Sequence, residues 1–388
     1  MSHTTPAQTH TRNQAIDLLR GLVMVLMLLD HTRGFYSFYG SKLMVTLELS
    51  TPALFFTRWL THFCAPVFVF LAGTGAYLHR QKHSPLETAK FLWTRGLWLI
   101  LLELTLMKFV WAPEPFYLFT PLQVIWVIGC SMIVLGFLCF LPTRITLLFG
   151  LFLVVGHHLL DRFDADLFGS YSFLWMLLHE KGIYMWGTRR LFVIYPLIPW
   201  IGVMALGFVF GKWIQQERTE RKRHVFLLGW SLLIAFVLLR SLFTYGDPLP
   251  WQPSPDLLYS ILSFINCTKY PPSLLYLLMT IGLSLMLMSW LDREHLGPLG
   301  RWLTLLGRVP LFYYIAHLYL LRITGIVTAY ILVGTKAFQP PPGPAGKPGA
   351  DLLSVYLIWI AALIILTPIS RWFDKHKRQR TYAWLRYF

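Results

Sequence analysis

The stretch DLLRGLVMVLMLLDHTR, Asp17–Arg33, decides how the chain is read. It is apolar enough to cross a bilayer, yet it carries Asp17, Arg20, Asp30, His31 and Arg33. An ionisable group in hydrocarbon costs at least ~3 kcal/mol, so such groups face a bundle interior or a wet cavity. Wound as a helix, Asp17, Arg20, Met24, Met27 and His31 fall at i, i+3, i+7, i+10 and i+14, a single stripe. At ~1.5 Å per residue the stripe runs ~21 Å from Asp17 to His31. It predicts a membrane helix whose polar face is turned inward and reaches from near one surface toward the other.

The rest of the composition agrees. The 388 residues are 56% hydrophobic and 16% aromatic, with only 13% charged, which marks a multi-pass membrane protein rather than a soluble domain. The net charge of +16 lies between apolar segments, as the positive-inside rule requires, so no nucleic-acid partner is expected. Cys64, Cys130 and Cys139 fall in apolar segments and Cys267 in a loop, which gives no disulfide framework and no CxxC metal site. The polar start has no small-residue cleavage site, so the first helix is expected to stay uncleaved.

At ~20 apolar residues per span, ten helices are expected. They are 15–38, 52–78, 91–112, 120–141, 143–160, 195–215, 224–244, 272–291, 309–334 and 352–373. A polar tail, 1–14, precedes this 15–373 membrane domain, and a basic tail, 374–388, follows it. One set of connections is rich in Lys and Arg: Arg80, Lys82, Lys90 and Arg95; Arg144; Arg218, Arg221, Lys222 and Arg223; Arg293, Arg301 and Arg308. The alternate set is poorer in them, with only 161–194 mixed (Arg162, Lys181, Arg189 and Arg190 against Asp161, Asp164, Asp166 and Glu180), and this bias puts both termini in the cytoplasm. The expected fold is therefore an all-α polytopic helical bundle. Segment 161–194 mixes acids with Trp, Tyr and Phe and is expected to be a re-entrant or interfacial helix. Segment 339–349, QPPPGPAGKPG, reads as a flexible connector.

Several polar residues stand where chemistry is possible. Asp30-His31 closes the first helix. A neutral imidazole accepts a proton or attacks an acyl carbon, and a neighbouring carboxylate fixes its tautomer. Residues adjacent on a helix point ~100° apart, so Asp30 touches His31 only if the helix loosens there. Arg58, His62 and Pro66 share one face of the second span. Ala72-Gly73-Thr74-Gly75 permits close approach by another helix or a ligand. Glu103, Lys108, Gln123 and His317 are further intramembrane polar groups that need partners from other helices. His157-His158 alone does not make a zinc site, and no HExxH, GxSxG, Walker A or GxGxxG motif is present.

These residues resemble the heparan-alpha-glucosaminide N-acetyltransferase family of transmembrane acyltransferases, the lysosomal enzyme and its smaller bacterial relatives. The resemblance rests on Arg12 followed by Ala15-Ile16-Asp17-Leu18-Leu19-Arg20-Gly21, on Asp30-His31, and on Thr61-His62-Phe63-Cys64-Ala65-Pro66 through Gly73. Looser echoes are Pro121-Leu122-Gln123, Pro199-Trp200-Ile201-Gly202 and Pro310-Leu311-Phe312-Tyr313-Tyr314. It implies transfer of an acyl group, typically acetyl, from cytoplasmic acetyl-CoA to an extracytoplasmic sugar or glycan, with no metal. His31, Asp30 and His62 become the candidate catalytic residues. Asp17, Arg20, Gln123 and His317 become candidates for binding the donor, with Arg80 and Arg95 as further cations. The family's suggested histidine lies in its first outer loop, whereas residues 34–61 here contain none, which leaves His31 and His62 as the nearest. That difference and the lack of the lysosomal enzyme's N-terminal domain point to a bacterial inner membrane and a cell-envelope acceptor rather than heparan. The competing reading is a transporter or flippase in which the same stripe lines a permeation path.

Overall fold

The computed structural model describes residues 14–37, 51–114, 116–242, 245–334 and 350–379. The expected connector 339–349, residues 1–13 of the N-terminal tail and residues 380–388 of the basic tail lie outside them.

Helix α1 (Gln14–Tyr36) runs through the centre of a helical bundle. It is followed by α2 (Pro52–Thr61), α3 (Cys64–Arg80) and α4 (Pro85–Leu102). A single π turn (Glu103–Met107) joins α4 to the short α5 (Lys108–Trp111). Strand β1 (Phe119–Leu122), α6 (Val124–Leu138), α7 (Thr143–Gly156) and α8 (Ser172–Leu178) come next. Strands β2 (Gly182–Trp186) and β3 (Arg189–Val193) precede α9 (Leu197–Ile214) and α10 (Arg218–Leu242). The chain continues with α11 (Leu257–Ile265), α12 (Leu274–Leu291), α13 (Pro298–Arg308), α14 (Pro310–Val333) and α15 (Leu352–Arg378).

Seven helical stretches among the described residues are long and apolar enough to cross a membrane, which makes this a multi-pass membrane protein. Helices α1 and α4 are as long but carry more charge, and α6 is shorter. Leu148, Phe152, Leu238, Ile331 and Ile364 stay exposed on the bundle exterior, the surface that lipid covers.

Facing glycines set the closest helix crossings. A Cβ on Gly21 of α1 would fall 1.9 Å from the Leu303 carbonyl oxygen, and one on Gly307 of α13 would fall 1.9 Å from that of Asp17. The same pairing joins α3 to α9 through Gly73 and Gly207, α4 to α6 through Gly96 and Gly129, and α10 to α12 through Gly229 and Gly282. With lipid as apolar as leucine, close van der Waals packing of small residues is what holds such helices together.

Two local departures from the expected elements have clear causes. Residues 161–194 form 3-10 turns, the short α8 and a hairpin rather than one long helix. The hairpin turns at Gly187, whose φ of 59° favours glycine, and its second strand pairs in parallel with β1, giving the order β1-β3-β2. Pro121 lacks an N–H and sits on the edge strand β1, where that loss is tolerated. The fourth apolar helix consequently starts at Val124 rather than at 120.

Candidate functional site

The inward stripe of α1 is where the site is built. A cavity of about 350 Å³ opens at the Gln14 end of the bundle, and Arg20, Met24 and Met27 form one of its walls. Arg95 of α4, Arg308 of α13, Lys377 of α15 and His79 of α3 join Arg20 there. The Arg20 and Arg308 side chains are 18% and 30% exposed, so this cationic end meets solvent. Deeper in, the walls become apolar, with Leu71, Leu99, Ile125 and Ile128. Tyr314 lies at the far end of the lining. Gly75 faces this space with nothing within 4 Å of its Cβ position, whereas Gly73 packs on α9. The small-residue run thus serves a helix on one face and the cavity on the other.

Asp17 is buried behind the opening, 3.5 Å from Arg20 and 3.9 Å from Arg308, and holds two of the four cations in place. Lys377 donates to the Arg308 carbonyl oxygen (3.1 Å). Arg80 takes no part; it donates to the His83 carbonyl oxygen.

Beyond Tyr314 stands His31, whose ring centroid is 6.1 Å from the tyrosine ring and 5.6 Å from that of Trp111. Its Nδ1 lies 2.6 Å from Nε2 of His317 on α14. The two ring planes agree within 8° and their centroids are 5.0 Å apart, the geometry of coplanar imidazoles joined end to end. His317 is fully buried, and its Nδ1 donates to the Tyr313 carbonyl oxygen (2.7 Å).

Asp30 does not orient His31. It accepts from Arg33 Nη2 (2.9 Å) one turn on, because α1 stays helical and the adjacent side chains diverge. Arg33 Nε and Nη1 have no hydrogen-bond partner among the described residues. His62 caps the C-terminus of α2, where the chain breaks before α3. Pro66 has no N–H to offer the His62 carbonyl oxygen, and the Tyr276 hydroxyl donates to it instead (2.6 Å). The His62 Nδ1 lacks a partner among the described residues, and no ring contact there joins it to His31. Lys269, a plain loop charge by sequence, is half-buried, and its charge acts on Asp30, His31 and His62.

Gln123 stands just before α6 in extended backbone and makes no side-chain cap. Glu103 supplies one from the π turn, accepting from the Trp126 N–H (3.2 Å) at the first turn of the helix whose Val124 and Ile125 line the cavity. Near the hairpin end, Glu114 pairs with the buried Lys108 (2.7 Å). Desolvation raises its carboxyl, but the Lys108 ammonium and the N–H groups of Leu118 and Phe119 prevail and bring it to about 2. Asp161 bridges His158 and His179 at 2.6 and 2.9 Å. Burial raises its carboxyl, yet those two histidines hold it well below the usual range. Among the described residues no three His, Cys, Asp or Glu side chains gather as metal ligands.

Lys377 and His79 are lining residues that the sequence left unmarked as site candidates, and Tyr314 stood only in the loose Pro310-Leu311-Phe312-Tyr313-Tyr314 echo. Arg308 and Lys377 read as ordinary cytoplasmic charges, and the only signal was their place at helix ends beside Pro310 and the chain terminus.

The site is thus a membrane-bundle cavity lined by cations at one end and ending near the hydrogen-bonded pair His31 and His317. Residues 12–245 match the family model described as heparan-alpha-glucosaminide N-acetyltransferase, catalytic. The match covers more than half of the chain, and the protein belongs to this family. No curated protein matches the chain. His317, Arg308, Lys377 and Tyr314 lie beyond the matched segment.

Proposed function

We propose that the protein is a transmembrane acyltransferase that moves an acetyl group from cytoplasmic acetyl-CoA to an extracytoplasmic sugar or glycan. The observation that carries this reading is the single cavity running from Arg20, Arg95, Arg308 and Lys377 to Tyr314, next to His31. The cations take the nucleotide phosphates of CoA, for which the forked arginine donors are well suited. The apolar walls take the thioester arm and exclude water from the thioester. This reading has the opening, and both termini, in the cytoplasm of a ten-span bacterial inner-membrane protein embedded in lipid; the Lys- and Arg-rich connections nearest the opening support it.

His31 Nε2 removes a proton from the acceptor amine or hydroxyl as that atom attacks the acyl carbon. A new N–C or O–C bond forms, the C–S bond breaks, and the His31 imidazolium returns its proton to the departing CoA thiolate. His62 is the second histidine at the acceptor end. Gln123 stands next to the wall residue Val124, while Asp17 acts on the donor through Arg20 and Arg308.

The test uses the purified full chain in lipid nanodiscs. Acetyl-CoA should raise its melting temperature saturably, and His31→Ala should abolish acetyl transfer to a panel of amino sugars while keeping that protection. No protection by acetyl-CoA, combined with uptake of a labelled solute into vesicles, would replace the enzyme with the transporter.

A further inference from the structure

We infer that His317 is a positioning residue that fixes the tautomer of His31 and leaves its Nε2 free as the base. The inference rests on the acyltransferase reading for its purpose but on hydrogen-bond geometry for its content. A carbonyl oxygen only accepts, so the 2.7 Å contact between His317 Nδ1 and the Tyr313 oxygen places the proton on that nitrogen. His317 is fully buried, and no carboxylate bonds to it among the described residues, so the neutral ring is the form that fits. Its Nε2 is then an acceptor. The nitrogen 2.6 Å away, His31 Nδ1, must carry the hydrogen between them. A neutral His31 protonated on Nδ1 has its lone pair on Nε2, the atom remote from His317.

The chain of bonds runs from the α14 backbone through His317 to His31, which performs with a carbonyl and a neutral imidazole what a carboxylate does for other catalytic histidines. Coplanarity of the two rings adds the second constraint, because it fixes the direction of the Nε2 lone pair as well as its identity. When His31 takes the acceptor's proton, its Nδ1–H remains bonded to His317 Nε2, now as a charge-assisted hydrogen bond. Asp30 is committed to Arg33 and has no hydrogen bond to His31, so His317 fills the role that adjacency in sequence would give to Asp30.

The test compares the full chain with His317→Gln and His317→Phe in bilayers. Glutamine places a carbonyl oxygen near the position of Nε2 and keeps the acceptor; phenylalanine removes it. Nitrogen-15 NMR of labelled histidine, with His31→Ala identifying the His31 signals, should show His31 protonated at Nδ1 in the native chain and in His317→Gln. The His317→Phe chain should show the Nε2-protonated form. In transfer assays His317→Phe should lower kcat by about 10²-fold, with KM for acetyl-CoA changed by less than about 3-fold and most of the rate recovered in His317→Gln. A native His31 protonated at Nε2, or a His317→Phe chain with native kcat, overturns the inference. The expected NMR pattern in a protein that transfers no acetyl group upholds the histidine pair and sinks the acyltransferase reading instead.

Discussion

Replacing Gly21 by alanine perturbs the tightest crossing beside the cavity. The new Cβ would lie 1.9 Å from the Leu303 carbonyl oxygen and 2.6 Å from its carbon, and both are backbone atoms that no rotamer change can move. Carbon–oxygen contacts are comfortable at ~3.3 Å, so α1 and α13 must part by roughly 1.4 Å. Overpacking of this kind costs ~1–3 kcal/mol. The displacement also carries Arg20 away from Arg308, and Asp17, already 3.9 Å from Arg308, loses its hold on one of the two. Gly34 on the same helix is the control, since a Cβ there meets no described atom within 4 Å and alanine gains ~0.5–1 kcal/mol of helix propensity. Thermal unfolding of the detergent-solubilised chain, together with KM for acetyl-CoA, reads both effects. Gly21→Ala should melt several degrees lower, at ~2 °C per kcal/mol, and bind the donor more weakly. Gly34→Ala should melt at or above the native temperature with KM unchanged. Equal melting temperatures for the two variants would refute the claim that α1 and α13 touch backbone to backbone.

Arg95→Ala and Arg308→Ala should each raise KM for acetyl-CoA by ~10-fold, as expected for one charge-assisted phosphate contact, and leave KM for S-acetylpantetheine, which lacks the nucleotide phosphates, unchanged. Gly75→Leu projects a side chain into open cavity, so stabilisation by acetyl-CoA in a melting assay should vanish while the unliganded melting temperature stays native. Glu114→Gln should destabilise the chain by leaving Lys108 buried without its carboxylate, and Lys108→Met combined with Glu114→Gln should recover most of the loss in chemical unfolding. Because the folded Glu114 carboxyl is depressed to about 2, its contribution is complete above the ordinary glutamate range near 4.5 and disappears as pH falls from there toward 2. Native unfolding curves should show that acid loss, and Glu114→Gln should not.

Hydrophobic runs made the helical fold legible because each span must satisfy its own backbone and present apolar side chains to lipid. The stripe on α1 was legible for the same reason, and Arg20, Met24 and Met27 do face one cavity. What the chain hides is pairing at long range. His31 and His317 are 286 residues apart, and nothing local to either names the other. Gly21 reads as a motif glycine, but the atom that forbids a side chain there belongs to Leu303. The hairpin was missed because its third partner, β1, lies in a segment whose apolar run looks helical until Pro121 and the extended Gln123 interrupt it. Asp30 and His31 are neighbours in sequence, but α1 stays helical there and turns their side chains apart, so the partner of His31 comes from α14.

The far end of the cavity also weighs between the enzyme and transporter readings. A permeation path needs room for the whole solute past its narrowest point. Here the lining stops at Tyr314, and beyond it Trp111 stands edge-on to His31 and stacks on Phe35, with their ring centroids 5.6 Å apart in each case. His31 and His317 are locked together by a hydrogen bond across α1 and α14. Opening this barrier for a sugar would break that bond and unstack the aromatic rings. The proposed transfer requires neither, because only a two-carbon unit changes carrier, with the acceptor atom and the thioester carbon meeting on the same side of the imidazole, at His31 Nε2. The cationic end favours the same conclusion, since phosphates held at Arg20 and Arg308 would keep the carrier on its own side while only the acyl group moves on.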